Sequence, residues 1–209
     1  NSVYLYYIGW NQGVEAPLFY ASIGLALGVD GRTFEPVSNA PILSRSEVDP
    51  CMVTSPYVYI DKGRWRMAYV SGVRWTRNKN GKLQSYYNIK LAESENQQDW
   101  QRDGKVAIDF RHGETNIARP SVLRDANNGY RMWYSFVDAK VGKYRMGYAE
   151  SKDGTVWLRK DELVPTGLDM EHCLESACYP CVFELGEHTY MLYNGDNFGE
   201  AGFCVAKFI

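Results

Sequence analysis

The stretch Tyr130–Ser135, with the sequence YRMWYS, carries the pattern that decides the fold, because the chain repeats it four times. Each copy is an aromatic-rich run that ends at a tyrosine corner. The corner tyrosines are Tyr7, Tyr69, Tyr134 and Tyr193, and they follow one another at intervals of 62, 65 and 59 residues. A nearly constant period of this length is typical of a repeat architecture.

Each repeat reads as four short strands. The fullest version, in chain order, runs through Arg119–Leu123, Tyr130–Ser135, Tyr144–Ser151 and Thr155–Leu158. Asp153-Gly154 separates the last two runs, and Asp-Gly between apolar runs is a strong hairpin signal because glycine adopts positive φ without strain. Helical periodicity of useful length is absent from the sequence. The pattern therefore predicts an all-β chain built from four-stranded blades.

The other copies follow the same order, and each of the last three begins with a strand that contains a proline. These prolines are Pro56, Pro120 and Pro180, whereas the first copy lacks such a strand. We therefore predict a single β-propeller domain over residues 1–209 with about three and a half four-stranded blades. Propellers normally have about four to eight blades, so we expect that an N-terminal blade is absent or that a second copy of the chain covers the open edge, and we favour the first.

Composition limits the classes of partner. The chain has 209 residues, of which 23 are basic and 25 acidic, for a net charge of -2. This balance gives no field of one sign that would favour nucleic acid or an anionic membrane surface. No apolar run is long enough to span a membrane, and no leader precedes the first strand. The 16 tyrosines and 6 tryptophans suit packed strand faces or a sugar-stacking surface, and the first explains most of them.

The five cysteines do not form a disulfide framework, because their number is odd and their spacing is uneven. This usage favours a reducing compartment, so we expect a cytoplasmic protein. Cys178 and Cys181 have the C-x-x-C spacing, but a zinc site would need a second such pair, and residues three apart on a strand face opposite sides. We therefore expect buried, inert thiols, with no metal and no cofactor.

Three phrases resemble a known group of proteins. They are Pro120-x-Val122, the run Tyr130–Ser135, and the longer run Gly147–Trp157, with the sequence GYAESKDGTVW. Together they resemble the five-bladed β-propeller glycosidase superfamily, which includes arabinanase/β-xylosidase-like enzymes, invertase-like enzymes and mannoside phosphorylases. The resemblance extends over almost the whole chain as a blade pattern. It implies a five-bladed ring whose innermost strands surround a central funnel, where carboxylates act on a glycosidic bond.

Glycosidic chemistry needs two carboxylates, about 5–9.5 Å apart, on either side of the bond. The acids that precede each proline-containing strand are therefore the residues to consider. Glu114 and Glu175 are the candidate acid and base, and Asp49 is a third catalytic candidate that could instead orient the substrate. Asp49 stands directly before Pro50, so it also fits an ordinary turn.

Four further residues are candidates for binding a carbohydrate substrate. Arg119 stands immediately before Pro120, where a guanidinium could hold a carboxylated or hydroxyl-rich sugar through its fork of donors. Tyr179 occupies the equivalent position before Pro180, and Asn116 precedes the Arg119-Pro120 strand. His112 could bind a sugar hydroxyl, although a solvated loop histidine fits its position as well.

The chain departs from the superfamily at two positions. The invertase-like group shows Arg-Asp-Pro where this chain has Ala118-Arg119-Pro120, and the arabinanase-like group places a glutamate two residues before a proline, where this chain has Thr54, Ala118 or Cys178. A glycoside hydrolase-like protein with paired carboxylates is therefore one prediction. The alternative is a non-catalytic propeller that binds glycans or serves polysaccharide assembly, and a scaffold that binds protein partners is a third.

Overall fold

Fourteen β-strands account for nearly all regular structure in the described part of this chain. The computed structural model describes residues 2–125, 129–138, 140–164, 176–200 and 202–208. It divides into two compact units, Asn1–Val106 and Ala107–Ile209. Within the described residues, no helix has the length and apolar character needed to cross a membrane.

The first unit contains two antiparallel sheets. One is formed by β1 (Val3–Gln12), β2 (Phe19–Gly28) and β3 (Glu35–Pro36), and the other by β4 (Met52–Asp61), β5 (Arg64–Arg77) and β6 (Leu83–Ser94). The short strand β7 (Val106–Ile108) lies at the boundary of the units. The core between the sheets is apolar and aromatic, and it consists of Ile23, Leu43, Val53, Met67, Tyr69, Ala92 and Trp100.

The second unit also contains two antiparallel sheets. The first is formed by β8 (Glu114–Arg124), β9 (Tyr130–Asp138), β10 (Lys143–Ser151) and β11 (Leu158–Arg159). The second is formed by β12 (Cys178–Leu185), β13 (His188–Asn194) and β14 (Phe203–Lys207). Short helical turns follow β11 and β13, at Asp161–Leu163 and Asp196–Gly199. The core consists of Trp133, Met146, Tyr148, Val182, Met191 and Tyr193.

The fourth strand of the repeat is where the sequence prediction was least accurate. Trp100 lies outside the strands, and its indole nitrogen donates a hydrogen bond of 3.2 Å to the Gln97 carbonyl. In the second unit, the strand expected at Thr155–Leu158 is only Leu158–Arg159. The reason is local, because the Thr155 and Val156 N–H groups both donate to the Asp153 carboxylate at 2.8 Å and extend the turn. These two bonds hold the pKa of Asp153 well below its usual range.

Three first strands carry the same backbone irregularity. The strand register of β4, β8 and β12 shifts around the residue that precedes the proline. That residue has positive φ in each case, with φ of 49° at Ser55, 54° at Arg119 and 59° at Tyr179. A non-glycine residue in this conformation costs about 1–3 kcal/mol and persists only where its surroundings hold it. Such a β-bulge re-aims a side chain out of the normal alternation of the strand.

Hydrogen bonds between the two sheets of the second unit hold one of these bulges in place. The Tyr179 N–H donates to the Ser135 hydroxyl at 2.7 Å, and the Val182 N–H donates to the Ser121 hydroxyl at 2.9 Å. Both serines are buried. The proline between Tyr179 and Cys181 has no N–H to leave unpaired, which suits a break in the ladder.

Candidate functional site

A buried tyrosine bound to a carboxylate occurs in each unit. In the first unit, the Tyr69 hydroxyl lies 3.1 and 3.2 Å from the two oxygens of Asp49. Arg102 also binds Asp49, with Nη1 to Oδ2 at 2.7 Å, and Lys90 Nζ lies 3.5 Å from Oδ1. Lys90 also donates to the carbonyl of Val48. Burial raises the pKa of Tyr69 well above its usual range, so this phenol donates its proton to Asp49.

The second unit has the same arrangement with one more acid. The Tyr134 hydroxyl donates to Asp161 Oδ1 at 2.5 Å. Arg159 holds Asp161 Oδ2 at 2.7 Å and also grips Glu114 with both arms of its guanidinium, at 2.6 and 2.8 Å. Arg111 reaches Asp161 from the other side at 2.9 Å. The side chains of Arg159 and Glu114 are each only 8% exposed.

These contacts place two of the three catalytic candidates in ion pairs. The Asp49 side chain is 0% exposed, and both its oxygens accept from neighbours. Both Glu114 oxygens are likewise occupied by Arg159. A catalytic carboxylate has to come within hydrogen-bonding reach of the substrate, so these surroundings suit a structural role. Glu175 lies outside the described residues, and the catalytic assignments stay predictions.

Two of the predicted substrate-binding residues are in contact. The Arg119 guanidinium carbon lies 5.5 Å from the centre of the Tyr179 ring, within the range of a cation–π interaction. Arg119 is exposed, and it pairs with no carboxylate among the described residues. His112 is also exposed, at the turn before β8, and Asn116 is half-buried on β8, where its amide oxygen accepts from the Thr115 hydroxyl at 2.6 Å.

Two more rings surround Tyr179, and we call Tyr144, Tyr179 and Phe198 the aromatic cluster. Phe198 stacks on Tyr179 at a centroid distance of 6.1 Å and an interplanar angle of 24°, and Tyr144 lies 5.3 Å from Tyr179. Phe198 is 63% exposed and has a φ of 60°. Its preceding neighbour, Asn197, also has positive φ, so the turn after β13 presents the ring outward.

A pocket of about 250 Å³ lies beside the aromatic cluster. Its lining includes Tyr144, Phe198, Lys143, Ser176, Cys178 and Asn197. The Ser176 N–H donates to Asp196 Oδ1 at 2.7 Å, which ties the turn after β13 to the start of β12. Among the described residues, no group of three or more His, Cys, Asp or Glu side chains is arranged to hold a metal ion.

The two thiols of the C-x-x-C pair differ in environment. Cys178 is buried and Cys181 is exposed, so the prediction of a buried thiol is wrong for Cys181, because the bulge falls between the two residues. Burial raises the pKa of Cys178 to about 11, although the nearby charge of Arg119 acts to lower it. We expect iodoacetamide to alkylate Cys178 at least about tenfold more slowly than Cys181 at pH 8, since only the thiolate reacts. Peptide mass spectrometry would measure both rates, and denatured protein should lose the difference; equal rates in the folded protein would contradict the burial of Cys178.

Comparison with protein families and curated sequences gives relatives without an assigned activity. No family model matches the chain. It is 37% identical over 205 residues to the uncharacterized proteins MT1551 and Rv1502 of two Mycobacterium tuberculosis strains. The alignment covers 97% of this chain, which spans 66% of the length of these relatives.

Solved structures resemble the chain over most of its length. The complex of BT0996 with RGII matches with a TM-score of 0.71 and 21% identity, covering 100% of this chain and 63% of that protein. The Bombyx mori GH32 β-fructofuranosidase BmSUC1 matches with a TM-score of 0.68 and 16% identity, covering 100% and 45%. A thermostable family-43 glycoside hydrolase matches with a TM-score of 0.68 and 16% identity, covering 90% and 62%. These proteins belong to propeller-type families, so the all-β, propeller-type fold is confirmed, while the number of blades stays a prediction.

Proposed function

We propose that this chain recognises carbohydrate at the aromatic cluster and Arg119, as part of a glycoside-processing protein. The observation that carries the proposal is the pair of bulges at Arg119 and Tyr179, which bring a cation and an aromatic ring from two strands into contact. Strained non-glycine residues concentrate at ligand sites, where the surrounding structure holds them. Both side chains thereby leave the packing of their sheets.

The chemistry of the pocket suits a sugar ring. A pyranose has one face of C–H groups that packs on an aromatic ring, and its hydroxyls need donors and acceptors at the edge. Phe198 and Tyr144 supply ring surfaces, while Lys143, Ser176 and Asn197 supply polar groups. A volume of about 250 Å³ lies near the lower end of the range for small-molecule sites, about 300–1,000 Å³, and it fits one sugar residue better than a long segment.

Hydrolysis of a glycosidic bond is the second candidate. The observation that favours it is the likeness to glycoside hydrolases in fold. In this version Glu114 and Glu175 act as acid and base in a central funnel. Its test is Glu114→Gln, which should remove activity on a glycan panel while leaving stability almost unchanged. A loss of stability instead would support the ion pair with Arg159 as the role of Glu114.

We expect Phe198→Ala to weaken oligosaccharide binding about tenfold, because truncating a central ring of a binding site costs about 1–2 kcal/mol. A panel of neutral and acidic oligosaccharides would identify a ligand, and isothermal titration calorimetry would give its affinity. Leu185→Ala is the matched control, since Leu185 is 66% exposed at the opposite end of β12 from Tyr179. Equal losses in the two variants, or no binding of any oligosaccharide by the unmodified protein, would refute the proposal.

A further inference from the structure

We propose that Arg119 makes this site selective for a carboxylated sugar, a uronate, and this inference rests on the proposed carbohydrate function. It adds a charge preference and a ligand class to the aromatic cluster. Three properties of the guanidinium support it: its surroundings, its distance to the rings, and the charges that line the pocket beside it.

The guanidinium of Arg119 differs from those of Arg111 and Arg159 in the same unit. Arg111 pairs with Asp161, and Arg159 pairs with both Asp161 and Glu114. Arg119 pairs with no carboxylate among the described residues and is exposed. Its planar fork of N–H donors matches two oxygens of one carboxylate, which gives a shorter and stronger contact than a neutral hydroxyl.

The aromatic cluster orders this guanidinium. Arg119 lies over the Tyr179 ring at 5.5 Å, and Tyr179 in turn stacks on Phe198. A guanidinium that already packs on a ring loses less rotamer freedom when it binds an anion. The bulge adds to this order, because it fixes the backbone of Arg119 at a φ of 54°, a conformation that glycine would adopt without strain. The chain nevertheless places a long cationic side chain there.

The charge of Arg119 also reaches the pocket. It acts on the thiol of Cys178, which lines the pocket, and Lys143 adds a second cation to the lining. Two acids lie nearby, and both have polar partners: Asp196 accepts the Ser176 N–H at 2.7 Å, and Glu200 accepts from the Asn197 side chain at 3.0 Å. In a uronate the carboxylate is attached to the sugar ring itself, so one residue can place its ring on the aromatic cluster and its carboxylate at Arg119.

The test compares uronate oligosaccharides, each paired with its methyl ester, by isothermal titration calorimetry on the whole chain. Esterification removes the charge and keeps the sugar and the linkage. We expect the acid form to bind at least about tenfold more tightly than the ester, in line with a bidentate charge-assisted contact, and added salt should reduce this preference. Arg119→Gln should remove the preference and retain binding of the ester, while Arg119→Lys should keep part of it.

Arg124→Gln provides the matched control, because Arg124 is an exposed arginine at the far end of β8. This variant should keep the full preference for the acid form. Equal affinity of acid and ester in the unmodified protein would overturn the uronate proposal and leave carbohydrate binding intact, as would a preference that survives Arg119→Gln. If no saccharide binds, acid or ester, the proposed function itself fails and this inference falls with it.

Discussion

Replacing Asp49 with alanine is expected to lower the free energy of unfolding by about 3–5 kcal/mol, the usual cost of removing one partner from a buried charge pair. The variant leaves Arg102 and Lys90, with side chains 15% and 7% exposed, without their shared carboxylate. It also leaves the buried Tyr69 hydroxyl without its acceptor. Urea denaturation followed by tryptophan fluorescence would measure the change.

Two comparisons make this prediction specific. Glu15→Gln removes another carboxylate of the same unit that pairs with an arginine, but that pair is about half exposed on both sides, so its loss should have a much smaller effect. Asp49→Asn keeps the shape and one acceptor oxygen, and it should fall between alanine and the native residue. If Asp49→Ala unfolds at the same urea concentration as the native chain, the buried network is not what fixes Asp49, and a functional role becomes the better explanation.

Replacing Arg159 with methionine should have an effect of the same size, about 3–5 kcal/mol, for the opposite reason. This change leaves two carboxylates, Glu114 and Asp161, largely buried without the arginine that they share. Arg111 still reaches Asp161, whereas Glu114 has no second ion-pair partner in the described part of the chain. Chemical denaturation would again provide the measurement, with circular dichroism to confirm that the variant folds.

Arg159→Lys and a double variant separate charge from geometry. A lysine supplies the positive charge as a point, so it cannot hold Glu114 with two parallel bonds, and we expect an intermediate loss of stability. Adding Glu114→Gln to Arg159→Met should recover part of the loss, because the second change removes one uncompensated charge. A double variant that is less stable than Arg159→Met alone would contradict the ion-pair interpretation of Glu114.

Most of the strand pattern could be predicted from the sequence, because the tyrosine corners and turn residues are local signals. The ion pairs could not, because Arg102 and Arg159 are 53 and 45 residues away from the carboxylates they bind. The sequence singles out Asp49 and Glu114 as acids before the first strands, but it carries no signal for the arginines that occupy them. The packing of two sheets, rather than any motif, decides those partners.

The candidate site was predictable only in part. Arg119 and Tyr179 were identified by their position before a proline, and the structure brings them together. Their positive φ was not predictable, because the residue before a proline normally adopts an extended conformation and non-glycine residues rarely take positive φ. Phe198 was not predictable for a related reason, since its place depends on a turn with two successive residues at positive φ, Asn197 and Phe198.

The three bulges before Pro56, Pro120 and Pro180 have one further consequence. The backbone is alike at all three positions, but the side chains are a hydroxyl at Ser55, a cation at Arg119 and a phenol at Tyr179. The conformation thus does not depend on the chemistry of the side chain that it carries. A single substitution at one of these positions can alter what the protein recognises while the strands, the prolines and the hydrogen bonds around them stay the same, which makes them the natural points at which ligand preference could diverge or be redesigned.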